Sequence, residues 1–287
     1  MKLSTKSKFL LYVAGIAPLG AANIINIDAT GLTAQTGIAS INNTGTAGGT
    51  FGTVTGSVDV APAGGINGLV FDGGSKMNSS FLTNSLATPM TGNQAHSAQA
   101  WVFNPGFGAE EAIVAWGRRG GPDGSNVGFH QGNHGSFGAV GHWGGGGGDG
   151  DTTYNNPDDT LINATTNRWA HLAYTYDGNE SRVFIDGLLV NTNDHNDLVT
   201  HEFLSDGTTP LTFGLGAEND GGNLTSTPVA FSGTIGRVRV DDTALSDSDI
   251  LNQFNSEKAF FSGVPEPSSA VLSGFAAFLL MTRRRRS

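Results

Sequence analysis

The sequence predicts an all-β protein, an antiparallel sandwich of two sheets or jelly roll, with a terminal signal helix and a terminal sorting helix. Three observations predict it. Nine or more short runs of alternating apolar residues are separated by turn residues every ten or so positions. No long run of helical periodicity lies between Asn23 and Gly263, and 43 of the 287 residues are glycine while none is cysteine. A chain without disulfides must take its stability from a sizeable core, which suits one large β domain better than a small stapled module.

In chain order, MKLSTKSKFLLYVAGIAPLGAA has lysines, then the apolar run Phe9 to Pro18, then Gly20, Ala21 and Ala22. This is the three-part pattern of an export signal over residues 1–22, cleaved after Ala22. The folded body then extends over residues 23–262. Strands are expected around GLVFDG (68–73), SAQAWVF (97–103), EAIVAW (111–116), NVGFHQ (126–131) and SFGAVGHW (136–143). Further strands are expected at WAHLAYTY (169–176), RVFIDG (182–187), LTFGLG (211–216) and TIGRVRV (234–240). Gly144 to Gly150, GGGGGDG, reads as a loop. Leu172, Tyr174 and Tyr176 share one strand face, Asp177-Gly178-Asn179 turns the chain, and Asp186-Gly187 gives a second tight turn. Trp101 and Trp169 read as core residues. One helix is expected late in the body, capped by Ser246, with Asp247 and Asp249 in its first turn and Ile250, Leu251 and Phe254 as its apolar stripe.

Charge separates the ends from the body. Of 15 basic residues, Lys2, Lys6, Lys8 and Arg283 to Arg286 sit at the termini, so the stretch between them carries about −17. Such a body repels nucleic acid and anionic lipid, and cations are its natural small partners. After the body, residues 263–287 hold Pro265-Glu266-Pro267, fifteen uncharged residues from Ser268 to Thr282, and the cluster Arg283, Arg284, Arg285 and Arg286. Fifteen residues span roughly 22 Å as a helix, short of a bilayer core, and the arginines act as a stop on the cytoplasmic side. In motif, order and position this tail resembles the PEP-CTERM sorting signal. The resemblance implies a membrane-tethered intermediate that an exosortase-type enzyme cuts near Pro-Glu-Pro, releasing the body to the cell envelope or extracellular matrix. The alternative is a plain C-terminal anchor.

The segment RWAHLAYTYDGNESRVFIDGLLV, Arg168 to Val190, resembles the laminin G-like signature. LVFDG (69–73), AQAWVFNP (98–105) and FSGTIGRVRVDDTALSDSDI (231–250) fit the same family in order, so the resemblance spans about residues 60–255. It implies a concanavalin A-like sandwich of two curved antiparallel sheets, in which a calcium ion often sits on one rim. Gly236 stands where many such relatives have an acidic residue, so that position has no calcium role here.

The candidate chemistry is sparse. A retaining glycosidase of this class needs two carboxylates on one strand face, commonly Glu-x-Asp-x-Glu. Glu110 and Glu111 are adjacent, and Glu180, Glu202, Glu218, Glu257 and Glu266 are isolated. Trp116 to Gly145 gathers two arginines, three histidines and two tryptophans. His130, His134 and His142 could ligate zinc, although solvated loop histidines are the better reading. Arg118, Arg119, His142 and Trp143 are expected to share one exposed binding surface, unless the arginines merely pair with Glu110 and Glu111. Calcium is better motivated, with oxygen donors from Asp123 and Asn126, Asp149 and Asp151, Asn193, Asp194 and Asp197, and Asn219 and Asp220; the same loops are also ordinary turn chemistry. Together these features describe an exported, non-catalytic module that binds extracellular polysaccharide or a surface protein. A glycan hydrolase and a calcium-dependent protein adhesion module are the alternatives.

Overall fold

In the computed structural model, which describes residues 23–121, 125–142, 150–154, 160–196 and 198–263, the alternating runs become two antiparallel sheets. The expected signal over residues 1–22, the sorting tail from Val264 onward and residues 144–149 of the glycine run lie outside the described residues. In chain order the elements are β1 (Asn23–Asp28), β2 (Ser40–Asn42), β3 (Thr50–Thr55), β4 (Asp59–Ala63), β5 (Ile66–Asp72), β6 (Lys76–Leu82), β7 (His96–Phe103), β8 (Ala112–Gly117), β9 (Asn126–His130) and β10 (Val140–Gly141). There follow α1 (Thr160–Asn163), β11 (Trp169–Tyr176), β12 (Glu180–Ile185), β13 (Leu188–Asp194), β14 (Thr212–Leu215), β15 (Ser232–Asp241) and α2 (Asp247–Phe261). The first sheet runs β13-β12-β11-β7-β15-β5-β4, with β1 also on β15; the second runs β10-β9-β8-β14-β6-β3-β2. Among the described residues no helix is long and apolar enough to cross a membrane.

Alternation along each strand sends one set of side chains between the sheets. Leu172, Tyr174, Tyr176, Ala98, Ala100, Val102, Val238 and Val240 enter from the first sheet, and Trp116, Phe129, Phe213, Leu215, Met77 and Phe51 from the second. Phe129 stacks on Tyr174 at 6.4 Å, closing the core across the sandwich. The expected hairpins are present. Tyr176 pairs with Ser181 around a turn in which Asp177 accepts from the Asn179 and Glu180 amides, and Ile185 pairs with Leu188 across Asp186-Gly187.

The structure corrects three details. The SFGAVGHW strand shrinks to Val140–Gly141, because the chain turns His142 into the interior. The stripe of α2 is Ile250, Phe254, Glu257 and Phe261, while Leu251 is 37% exposed. Trp101 and Trp169 are buried, but on the outer face of the first sheet beneath α2, where they pack with Phe261 as a second cluster. Gly236 permits that packing: it sits at a bulge in β15, and a Cβ there would lie 2.9–3.1 Å from the Phe261 and Trp169 rings.

Candidate functional site

Of the residues expected to form one binding surface, Arg118 and Arg119 are partly exposed neighbours and His142 is buried. Arg119 follows β8 and is clamped between two carboxylates, with Nη1 donating to Glu218 at 3.0 Å and Nη2 to Glu110 at 3.5 Å. Arg118 is half-exposed, and its buried Nε has no partner. His142 is not on that surface: it is 2% exposed, its Nδ1 donates to the Asn126 carbonyl at 3.0 Å, and its Nε2 faces the Tyr174 hydroxyl at 3.3 Å. Burial, and then the charge of His195, hold it well below the ordinary histidine pKa. Trp143 lies outside the described residues.

His130 is likewise an interior residue rather than a solvated one. Its Nε2 bonds Glu218 at 2.7 Å; burial opposes protonation, but the Glu218 hydrogen bond and charge outweigh it and raise the His130 pKa. Lys76, fully buried on β6, donates to the Glu218 and Leu224 carbonyls and to Asn219 Oδ1. Burial brings its pKa down to about 7 against the attraction of Glu218 and Asp220. This ionic cluster covers the outer face of the second sheet and is roofed by residues 217–230, which return over the sheet with bonds from Asn78 to Leu224 and from Ala112 to Val229. Gly128 makes room for it, since a Cβ there would meet Glu218 Oε1 at 1.9 Å. Nothing in KMNSSFL announced Lys76 as part of a charged cluster, because its partners come from residues 218–224.

Glu218 and Glu111 are each committed to structural partners. Glu218 is 1% exposed between His130 and Arg119, and Glu111 accepts from Asn104, Gly108 and Ser232. Of the expected calcium donors, Asp123, Asp149 and Asp197 lie outside the described residues. Asp151 accepts from the His142 amide at 2.7 Å, Asn219 is taken by Lys76, and exposed Asp220 bridges the Arg119 backbone. His134 stacks on Phe137 instead of meeting His130 or His142. Among the described residues no three His, Asp or Glu side chains gather as a metal site.

An open pocket of about 340 Å³ lies instead at the C-terminal end of α2, where Trp101, Trp169 and Phe254 form its floor and Arg168, Asp186 and Lys258 its rim. Both indole N–H groups point away from it, Trp101 to Glu257 at 2.7 Å and Trp169 to the Ala63 carbonyl at 2.9 Å. The floor is therefore ring carbon. At the rim, Arg168 Nη2 donates to Asp186 Oδ2 at 2.8 Å, and the Lys258 ammonium stands 5.5 Å from the Phe254 ring centroid. An aromatic floor with a planar cation, a carboxylate and an ammonium at its edge fits a flat, hydroxyl-bearing ligand. Sequence alone could not assemble it, since Arg168 and Phe254 meet only when α2 lies across β11.

The family model described as the concanavalin A-like lectin/glucanases superfamily matches residues 73–251. Similar solved structures include domain 4 of AbnA, a GH43 extracellular arabinanase from Geobacillus stearothermophilus, solved with arabinotriose (19% identity, TM-score 0.49, 81% of this chain and 98% of that one). An arabinofuranosidase complexed with arabinofuranosyl-α-1,2-xylobiose is 10% identical with a TM-score of 0.53, over 76% of this chain and 50% of that one. The binding domain of Paraclostridial Mosquitocidal Protein 1 is 12% identical with a TM-score of 0.48, over 82% and 52%. The chain thus spans about half the length of the last two. No curated protein matches the sequence.

Proposed function

Because the chain belongs to the concanavalin A-like lectin/glucanases superfamily, we propose that it is an exported, non-catalytic module that binds a carbohydrate of the cell envelope or extracellular matrix. The observation that carries this reading is the aromatic-floored pocket at the end of α2. A sugar ring can lie against Phe254, above the largely buried Trp169, while Arg168, Asp186 and Lys258 bond its hydroxyls. The commitment of Glu218 to His130 and Arg119, and of Glu111 to Asn104, Gly108 and Ser232, supports binding without turnover. The terminal motifs supply the route: export through the signal, a transient membrane tether through the uncharged tail, and release by an exosortase-type enzyme. Calcium binding belongs to the same reading, with Asp123, Asp149, Asp151 and Asp220 as the donors expected from the sequence.

A second surface is favoured by one observation, the unpartnered buried Nε of Arg118 beside the clamped Arg119 and the exposed Asp220. The two surfaces are separated by retention on a polysaccharide array, run with and without calcium, for Arg168→Ala, Lys258→Ala and Arg118→Ala. We expect the first two to lose about tenfold in retention with an unchanged melt, and the third to bind as the parent. Loss confined to Arg118→Ala would move the ligand to the second surface, and release of reducing ends would make the protein an enzyme.

A further inference from the structure

A second pocket, of about 360 Å³, lies under the other half of α2, where Asn23, Gln99 and Asp241 of the first sheet face Asp249, Asn252 and Gln253 of the helix. Asp241 is 1% exposed and Gln99 3%, yet Asp241 Oδ2 and Gln99 Oε1 have no hydrogen-bond partner. Two buried acceptors on one pocket wall require a donor. The neighbouring charged groups do not supply it. Arg239 spends both Nη atoms on Glu257, Asp249 turns to Ser246, and Asp242 adds negative charge. Asn23 Nδ2 reaches only Asp241 Oδ1. Burial accordingly drives the Asp241 carboxyl up to about 6, against the Asn23 bond and the Arg239 charge. Asn23 stands directly opposite Asp241 in the β1–β15 register, a separation of roughly 4.5–5.5 Å between Cα atoms.

Asn23 is also the residue that cleavage after Ala22 would expose. Hydrolysis of that amide consumes one water and leaves a carboxylate on the leader and an ammonium on Asn23, charged below its ordinary pKa of about 7.7–8.0. We infer that this pocket takes a primary ammonium group, supplied by the α-amino group of Asn23, which pairs with Asp241 Oδ2 and Gln99 Oε1 once the leader is removed. The inference rests on the export reading given above. Maturation then completes the fold's polar interior, coupling removal of the leader to stability.

Intact mass of the native secreted protein tests the export reading by itself, through a start at Asn23. The pocket is tested by acylating that protein with an amine-specific reagent and following the N-terminal peptide. We expect the α-amino group to react about tenfold more slowly in the folded protein than in urea, with its pH midpoint raised by about one unit. Asp241→Asn should restore the urea rate and midpoint. A start at Asn23 with equal folded and unfolded rates overturns the inference, as does protection that survives Asp241→Asn. If the urea comparison shows protection but excess methylammonium or calcium still raises the melting temperature through Asp241, the pocket is open and its occupant external, which also overturns it. A processed start at another residue keeps the export reading and overturns this inference, whereas a start at Met1 removes both.

Discussion

Tyr174 has one hydroxyl proton and two histidines facing it. The Nδ1 of His142 donates to the Asn126 carbonyl and that of His96 to the Gln94 carbonyl, so each Nε2 turns to the phenol as an acceptor, at 3.3 and 3.1 Å. The three side chains are buried together, where an unmet acceptor costs about 1–3 kcal/mol. Replacing Tyr174 by Phe removes the hydroxyl that stands between two buried imidazoles. We expect a loss of about 2 kcal/mol, read from denaturant melts at neutral pH, with the sandwich intact by circular dichroism. Half of this arrangement was legible: alternation put Leu172, Tyr174 and Tyr176 on one face. The other half was not, since His142 precedes a glycine run and carries no periodicity to mark it as interior.

At the scale of elements, α2 shows why capping signals read well and packing faces less so. Ser246 and Asp249 exchange both bonds of a capping box, chemistry contained in four consecutive residues. The buried face was harder, because it includes a glutamate. Glu257 accepts from Arg237, Arg239 and the Trp101 indole, and these outweigh the cost of burial to keep its pKa below the ordinary value. Glu257→Gln should therefore cost about 3 kcal/mol by leaving Arg239 without a carboxylate and Arg237 with Asp28 alone. Gly236→Ala should cost about 1–3 kcal/mol by overpacking the Trp169–Phe261 contact, and should weaken ligand retention at the adjacent pocket; chemical denaturation and the array read the two effects separately. The strands that sequence missed have equally local causes. β4 carries Pro62 and lies at a sheet edge, β13 is a largely polar edge strand, and β6 alternates with Lys76, Asn78 and Ser80 on its outer face.

Over the whole molecule, the buried histidines set the acid limit of stability. Burial pushes His96 and His171 down to about 4 and His142 well below its ordinary value. The unfolded chain, with histidines near 6.5, binds more protons below that pH, so the contribution of these three histidines is full above about 6.5 and falls as pH drops toward 4. His96 alone accounts for about 3 kcal/mol across that window. His130, whose pKa is raised, acts oppositely and loses its contribution as pH rises through its folded value. We expect the melting temperature to fall steeply between pH 6.5 and 4.5; a flat profile would show that the imidazoles are not held neutral. The architecture itself was the most legible level, because strand alternation and turn residues repeat along the chain while hydrogen bonds such as those of Lys76 to residues 218–224 span it. The pairing of β1 with β15 joins Asn23–Asp28 to Arg237–Asp241, and the same β15 is the seam for β5 and β7. Closure at such sequence distance is slow, and nothing emerging before residue 237 can complete the first sheet. A chain made or threaded through a membrane from its N-terminus therefore stays open until its last strand arrives, and translation or translocation sets the moment at which it folds.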